Sequence, residues 1–116
     1  MSIYRGAHYA VIITLKSNVT GLPVDISGWS MRSQIRDSVS DDDVMAELTT
    51  DNGGIEVING PAGIMQLSIT AEQTQDFSLG TVVGDVFRTG VDPGPIRLFA
   101  FRDKVRKSIT RDEEVA

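Results

Sequence analysis

Short runs of alternating apolar and polar residues, broken by turn-forming residues, dominate this chain. Over residues 9–16, Tyr9, Val11, Ile13 and Leu15 fall on one side of an extended backbone. Ala10, Thr14 and Lys16 fall on the other, with Ile12 the exception. Side chains alternate between the faces of a strand, so a period of two predicts a half-buried strand. A loop over 17–23 ends it. Trp29, Met31, Ser33 and Ile35 then alternate with Ser30, Arg32, Gln34 and Arg36, which predicts a second strand and places Trp29, like Tyr9, in the core.

A polar, acidic loop follows over 37–43. Val44, Ala46 and Leu48 share one face of a strand over 44–50. Asp51-Asn52-Gly53-Gly54 is a turn, because Asn and Gly tolerate positive φ. A short strand over 55–58 and the turn Asn59-Gly60-Pro61-Ala62-Gly63 lead to a strand with Met65, Leu67 and Ile69 on one face. Thr70-Ala71-Glu72-Gln73 reads as a capping box. It predicts one short helix over 71–76, ended by Gly80, that pins Phe77 or Leu79 to the core. The next strand, 81–88, carries Gly84 at its centre, where an isolated glycine suggests a bulge. After the stiff turn Val91-Asp92-Pro93-Gly94-Pro95, a strongly apolar strand runs over 96–101, with strand character continuing over 104–110.

About seven or eight short strands with regular turns predict an all-β fold: an antiparallel β-sandwich with Ig-like packing and one short helix. At 116 residues the chain is one domain. A short N-terminal arm (about 1–7) and a polar C-terminal tail (about 111–116) flank it.

Charge and chemistry narrow the function. With no cysteine, disulfides and thiolate metal sites are excluded, and the single His8 makes no zinc site. No Gly-x-Ser-x-Gly elbow and no phosphate-binding glycine loop is present. Asp41-Asp42-Asp43 lacks calcium-loop spacing and reads as a solvated loop. Aromatics are only 6% of the chain, little for a sugar-stacking cleft. A net charge of −5 argues against coating nucleic acid. No apolar run is long enough for a signal peptide or a membrane span. The expectation is a non-enzymatic chain with no cofactor, no nucleic-acid partner and no membrane partner.

Against this acidic background, Arg97, Arg102, Lys104, Arg106, Lys107 and Arg111 gather near the C-terminus. They form either a docking strip for an acidic partner or an edge strand guarded against pairing. Phe99 and Phe101 lie on the face opposite Leu98, so both faces of that strand are covered or one meets another subunit. Ile3, Tyr4 and Arg5 form an apolar arm able to dock on a neighbour. The candidate interface is therefore Ile3, Tyr4, Arg5, Phe99, Phe101, Lys104, Arg106 and Lys107.

Four segments in order carry a resemblance. Pro23-Val24-Asp25-Ile26-Ser27-Gly28-Trp29, running on to Gln34-Ile35-Arg36, is similar to the opening of small β-sandwich proteins of tailed-bacteriophage virions. Glu47-Leu48-Thr49-Thr50-Asp51-Asn52-Gly53-Gly54-Ile55 resembles their next hairpin. Gly63-Ile64-Met65-Gln66-Leu67-Ser68-Ile69-Thr70-Ala71-Glu72-Gln73-Thr74 resembles the strand and helix after it. Gly80-Thr81-Val82-Val83-Gly84-Asp85-Val86 resembles the following strand. The match spans about residues 9–109 and departs at Asp92-Pro93-Gly94-Pro95 and at the basic Lys104-Val105-Arg106-Lys107. The resemblance implies an Ig-like virion domain of the tail, baseplate or fibre-attachment region, without catalytic residues, made in the host cytoplasm. Its partners would be other virion proteins and symmetric copies of itself. A capsid decoration protein, and in another class a carbohydrate-binding host-recognition module, are the alternatives.

Overall fold

The computed structural model describes residues 2–38, 40 and 42–108. Along them run β1 (Ser2–Tyr4), β2 (Tyr9–Thr14), β3 (Ser30–Arg36), β4 (Ala46–Thr49), β5 (Ile55–Asn59), β6 (Ile64–Ile69), α1 (Ala71–Gln75), β7 (Gly80–Thr89) and β8 (Ile96–Arg106). A five-stranded sheet in the order β1-β8-β7-β3-β4 faces a three-stranded sheet in the order β2-β6-β5. The fold is an all-β sandwich with one short helix, as expected.

Alternation explains the layers. Met31, Ser33 and Ile35 of β3, Ala46 and Leu48 of β4, and Met65, Leu67 and Ile69 of β6 are buried, while their neighbours along each strand are more exposed. The apolar positions meet between the sheets. Val44 falls outside β4 and is exposed.

The β4–β5 turn is built on Asn52. Its Oδ1 accepts from the amides of Thr49 at 2.9 Å and Gly54 at 2.8 Å, and its Nδ2 donates to the Glu47 carbonyl at 3.0 Å. Gly53 beside it takes φ 82°, a conformation open to glycine at little cost. The capping box also forms. Thr70 Oγ1 accepts from the Gln73 amide at 3.1 Å, and Gln73 Oε1 accepts from the Thr70 amide at 2.9 Å. The helix ends at Asp76, its C-cap, rather than at Gly80, which opens β7. Phe77, not Leu79, is the residue pinned to the core, at 1% exposure against 50%.

Two further expectations are corrected. The N-terminal arm is not free: β1 pairs in parallel with β8, Ser2 opposite Lys104 and Tyr4 opposite Arg106, so one pairing departs from the antiparallel pattern. Ile3 between them is fully buried. Gly84 marks no bulge. It pairs with Phe101, whose ring lies against the glycine so closely that a β-carbon there would stand 2.5 Å from Cζ. The register shift comes later, where Val86 pairs with Phe99 but Phe87 pairs with Arg97, leaving Leu98 as the extra residue of β8. The C-terminal tail over 111–116 lies outside the described residues.

Candidate functional site

The pairing with β7 decides which way β8 points its side chains. Directly opposed residues share a face, and Phe99 and Asp103 oppose Val86 and Val82, both fully buried. Phe99 and Phe101 therefore face the sandwich interior and are half-buried against the core. Neither points to the outer face of the larger sheet, and Ile3 is fully buried.

The outward positions of β8 carry its basic residues. Arg102, Lys104 and Arg106 alternate along its exposed face, and Lys107 beyond it is exposed. Pairing with β1 brings Tyr4, 48% exposed, alongside Arg106. Arg106 Nε donates to Ser2 Oγ at 3.1 Å. The half-buried Arg5 donates its amide to the Arg106 carbonyl at 3.0 Å and accepts at its own carbonyl from Ser108 Oγ at 3.1 Å. Of the predicted set, Tyr4, Arg5, Lys104, Arg106 and Lys107 thus gather at one sheet edge.

Next to this edge, the outer face of the larger sheet carries a concavity of about 580 Å³. Gln34, Asp85, Phe87, Arg97 and Arg102 are among its lining residues. Arg97 Nε lies 3.4 Å from Asp85 Oδ2. On the neighbouring strands Glu47 accepts from Arg32 at 2.8 Å and from Gln34 at 2.9 Å. The Gln34 hydrogen bond first, then Arg32, hold the Glu47 carboxyl below its ordinary pKa. Sequence reasoning missed this concavity, because its residues come from three strands that only the sheet order brings together.

The second feature is a cleft of about 210 Å³ between the sheets. Its inner wall is buried Ile35, Leu48, Leu67 and Ile69. Its outer lining is Tyr9, Val11, Ile13 and Phe101, all half-buried, so the cleft opens between β2 and β8. At one end of this mouth the Tyr9 hydroxyl donates to Asp103 Oδ2 at 2.9 Å. Burial first, then that hydrogen bond and the carboxylate charge, push the Tyr9 pKa well above its usual value. Trp29 is half-buried against the core, not enclosed by it, with the Arg88 guanidinium 4.1 Å from its ring centroid.

Among the described residues no three or more His, Asp or Glu side chains are placed to hold a metal ion, and no helix is long and apolar enough to cross a membrane. A scan against protein-family models finds no match, and neither does a search of curated proteins. Among solved structures, the chain is similar to the N-terminal domain of phage TP901-1 ORF48. The TM-score is 0.59 at 15% identity, over 92% of this chain and 86% of that one. This likeness, spanning nearly the whole of both chains, shows that the protein shares the β-sandwich fold of that phage domain.

Proposed function

We propose that the protein is a non-enzymatic structural component of a tailed-phage virion, an Ig-like domain of the tail, baseplate or fibre-attachment region that works through protein–protein contacts. The observation that carries this reading is the fold shared end to end with a domain of a phage protein. The four ordered sequence segments support it independently. The exposed basic edge around Lys104, Arg106 and Tyr4 gives such a component a surface with which to meet a neighbour.

One observation favours a second reading, a carbohydrate-binding module for host recognition. The outer concavity sets Phe87 beside Asp85, Arg97 and Gln34, an aromatic face with polar groups of the kind sugar sites use. The Asp85–Arg97 pair already engages two of those groups, which weakens it.

The test is to purify particles on a density gradient, quantify the chain in them by mass spectrometry and locate it by immunogold labelling. Stoichiometric presence on the tail or baseplate is expected. Label confined to the head would point to a decoration protein. Absence from the particles would refute a virion role.

A further inference from the structure

Side chains alternate between the two sides of a strand. Buried Val82 and Val86 mark the inner face of β7, so Val83, Asp85 and Phe87 between and beyond them lie on the outer face of the larger sheet. The register sets three rows across β8, β7 and β3. Arg102 and Arg36 flank Val83, Ala100 and Gln34 flank Asp85, and Arg97 and Arg32 flank Phe87. Twice over, an apolar residue of the central strand stands between two arginines. Val83 and Phe87 are both half-buried and both line the outer concavity.

The face is also strongly charged. β8 continues it with Lys104 and Arg106. Among the described positions of the five strands, Glu47 and Asp85 are the carboxylates of this face, set against those six cations. A surplus of positive charge is therefore collected on one side of a chain whose net charge is −5. The cations differ in how far they are engaged. Arg32 is held by Glu47 at 2.8 Å, and Arg97 lies 3.4 Å from Asp85. Arg36 donates to the Asp42 carbonyl and to Gln34 Oε1, and Arg106 donates to Ser2 Oγ. Arg102 and Lys104, neighbours on the same side of β8, have no carboxylate within ion-pair reach among the described residues. The surplus is concentrated there, at the wall of the concavity that Arg102 lines.

We propose that this outer face docks an acidic patch of a neighbouring protein. An apolar side chain of the partner enters the concavity over Val83 and Phe87, and its carboxylates meet Arg102 and Lys104. Arginine and aromatic side chains gathered in a concave patch are what the energetic centres of protein interfaces are made of. Charge selects the occupant. A second copy laid face to face would oppose two positive surfaces. A nucleic acid presents only phosphates along its backbone and would set them against Glu47 and Asp85 too, where a protein surface can place cations of its own. The proposal deepens the contact role argued above and rests on it.

The test titrates the full chain with a blocked pentapeptide, two glutamates on either side of a leucine, at about 0.15 M salt, following backbone amide shifts by NMR. A single-stranded DNA pentanucleotide of the same charge is titrated in parallel, and light scattering follows self-association. The peptide is expected to shift the amides of Val83, Asp85, Phe87 and Arg102 and to leave β2 and β5 unmoved. Arg102→Glu with Lys104→Glu, both exposed positions, is expected to weaken its binding about tenfold while keeping the rest of the spectrum. Phe87→Ala is expected to weaken it about threefold. Shifts that are absent, or confined to the smaller sheet, would overturn the docking face. Equal affinity of the wild-type and charge-reversed proteins would overturn the role of the two cations. Tighter binding of the DNA would make a nucleic acid the occupant. Self-association abolished by the charge reversal would make it an acidic region of a second copy, and either result overturns the foreign protein. None of these outcomes bears on whether the chain is found in purified particles, so the two readings fail separately.

Discussion

Gly84 offers a direct test of how tightly β7 and β8 are packed. It lies midway along β7 opposite Phe101, and its φ is outside the left-handed region, so the backbone accepts alanine there. Replacing a strand glycine should by itself stabilise by about 0.5–1 kcal/mol, because glycine loses the most freedom on folding. The new β-carbon, however, would stand 2.5 Å from Phe101 Cζ and 2.9 Å from Cε2. Carbon atoms rest at about 3.5–4 Å, so the ring must retreat by roughly 1 Å. Overpacking of this kind costs about 1–3 kcal/mol. Phe101 is only half-buried at the cleft mouth and can give way, so a cost of about 1–2 kcal/mol applies. Gly84→Ala should therefore destabilise by about 0.5–1 kcal/mol net. In a Phe101→Ala background the obstacle is gone, and the same change should stabilise by about 0.5–1 kcal/mol. Urea unfolding of all four proteins, followed by Trp29 fluorescence, gives the coupling energy, expected at about 1–2 kcal/mol. Equal effects of Gly84→Ala in both backgrounds would refute the contact.

Other substitutions probe the edges of the core. Trp29→Ala should cost about 2–3 kcal/mol, below the ~3–5 of a fully buried aromatic, because Trp29 is half-buried under Arg88; a thermal midpoint matching wild type would contradict that packing. Thr74 is fully buried, and its hydroxyl accepts from the Gly6 amide and donates to the Ala7 carbonyl. Thr74→Val strands both groups and should cost about 1–3 kcal/mol, with Gly6 amide exchange quickening; an unchanged Gly6 rate would contradict the link. The Tyr9 pKa is raised on folding, so its contribution is complete below the unfolded value of about 10 and is lost as pH climbs beyond it. Stability measured from pH 8 to 11 should decline at the alkaline end in wild type and less in Tyr9→Phe, and parallel profiles would count against it.

Local pattern carried most of the fold. The alternations through Tyr9, Met31 and Met65 needed only neighbouring residues to be read, and so did the Thr70–Gln73 box. What escaped depends on partners far away in sequence. Nothing near Ile3 announces that Val105 lies opposite it, so a strand looks like a loose arm. Phe99 and Phe101 share one face, as their spacing says, but that this face is the inward one follows only from the Val86 and Gly84 that oppose them on β7. The basic strip was legible as adjacent charges, whereas the cleft is assembled from strands of two different sheets and has no linear signature.

The parallel pairing of β1 with β8 also governs how the domain bears load. Both strands run the same way, and the chain leaves Ser2 at one end of the pair and Arg106 at the other. Tension between the two ends therefore slides the strands past one another instead of peeling them apart. The hydrogen bonds of the pair, with the Arg5 amide bond to Arg106 at 3.0 Å beside them, are strained together and must give way together. Forced unfolding is a matter of rate and not of equilibrium stability. This short seam, with Ile3 locked beneath it, is thus the point at which a pulled molecule would first resist.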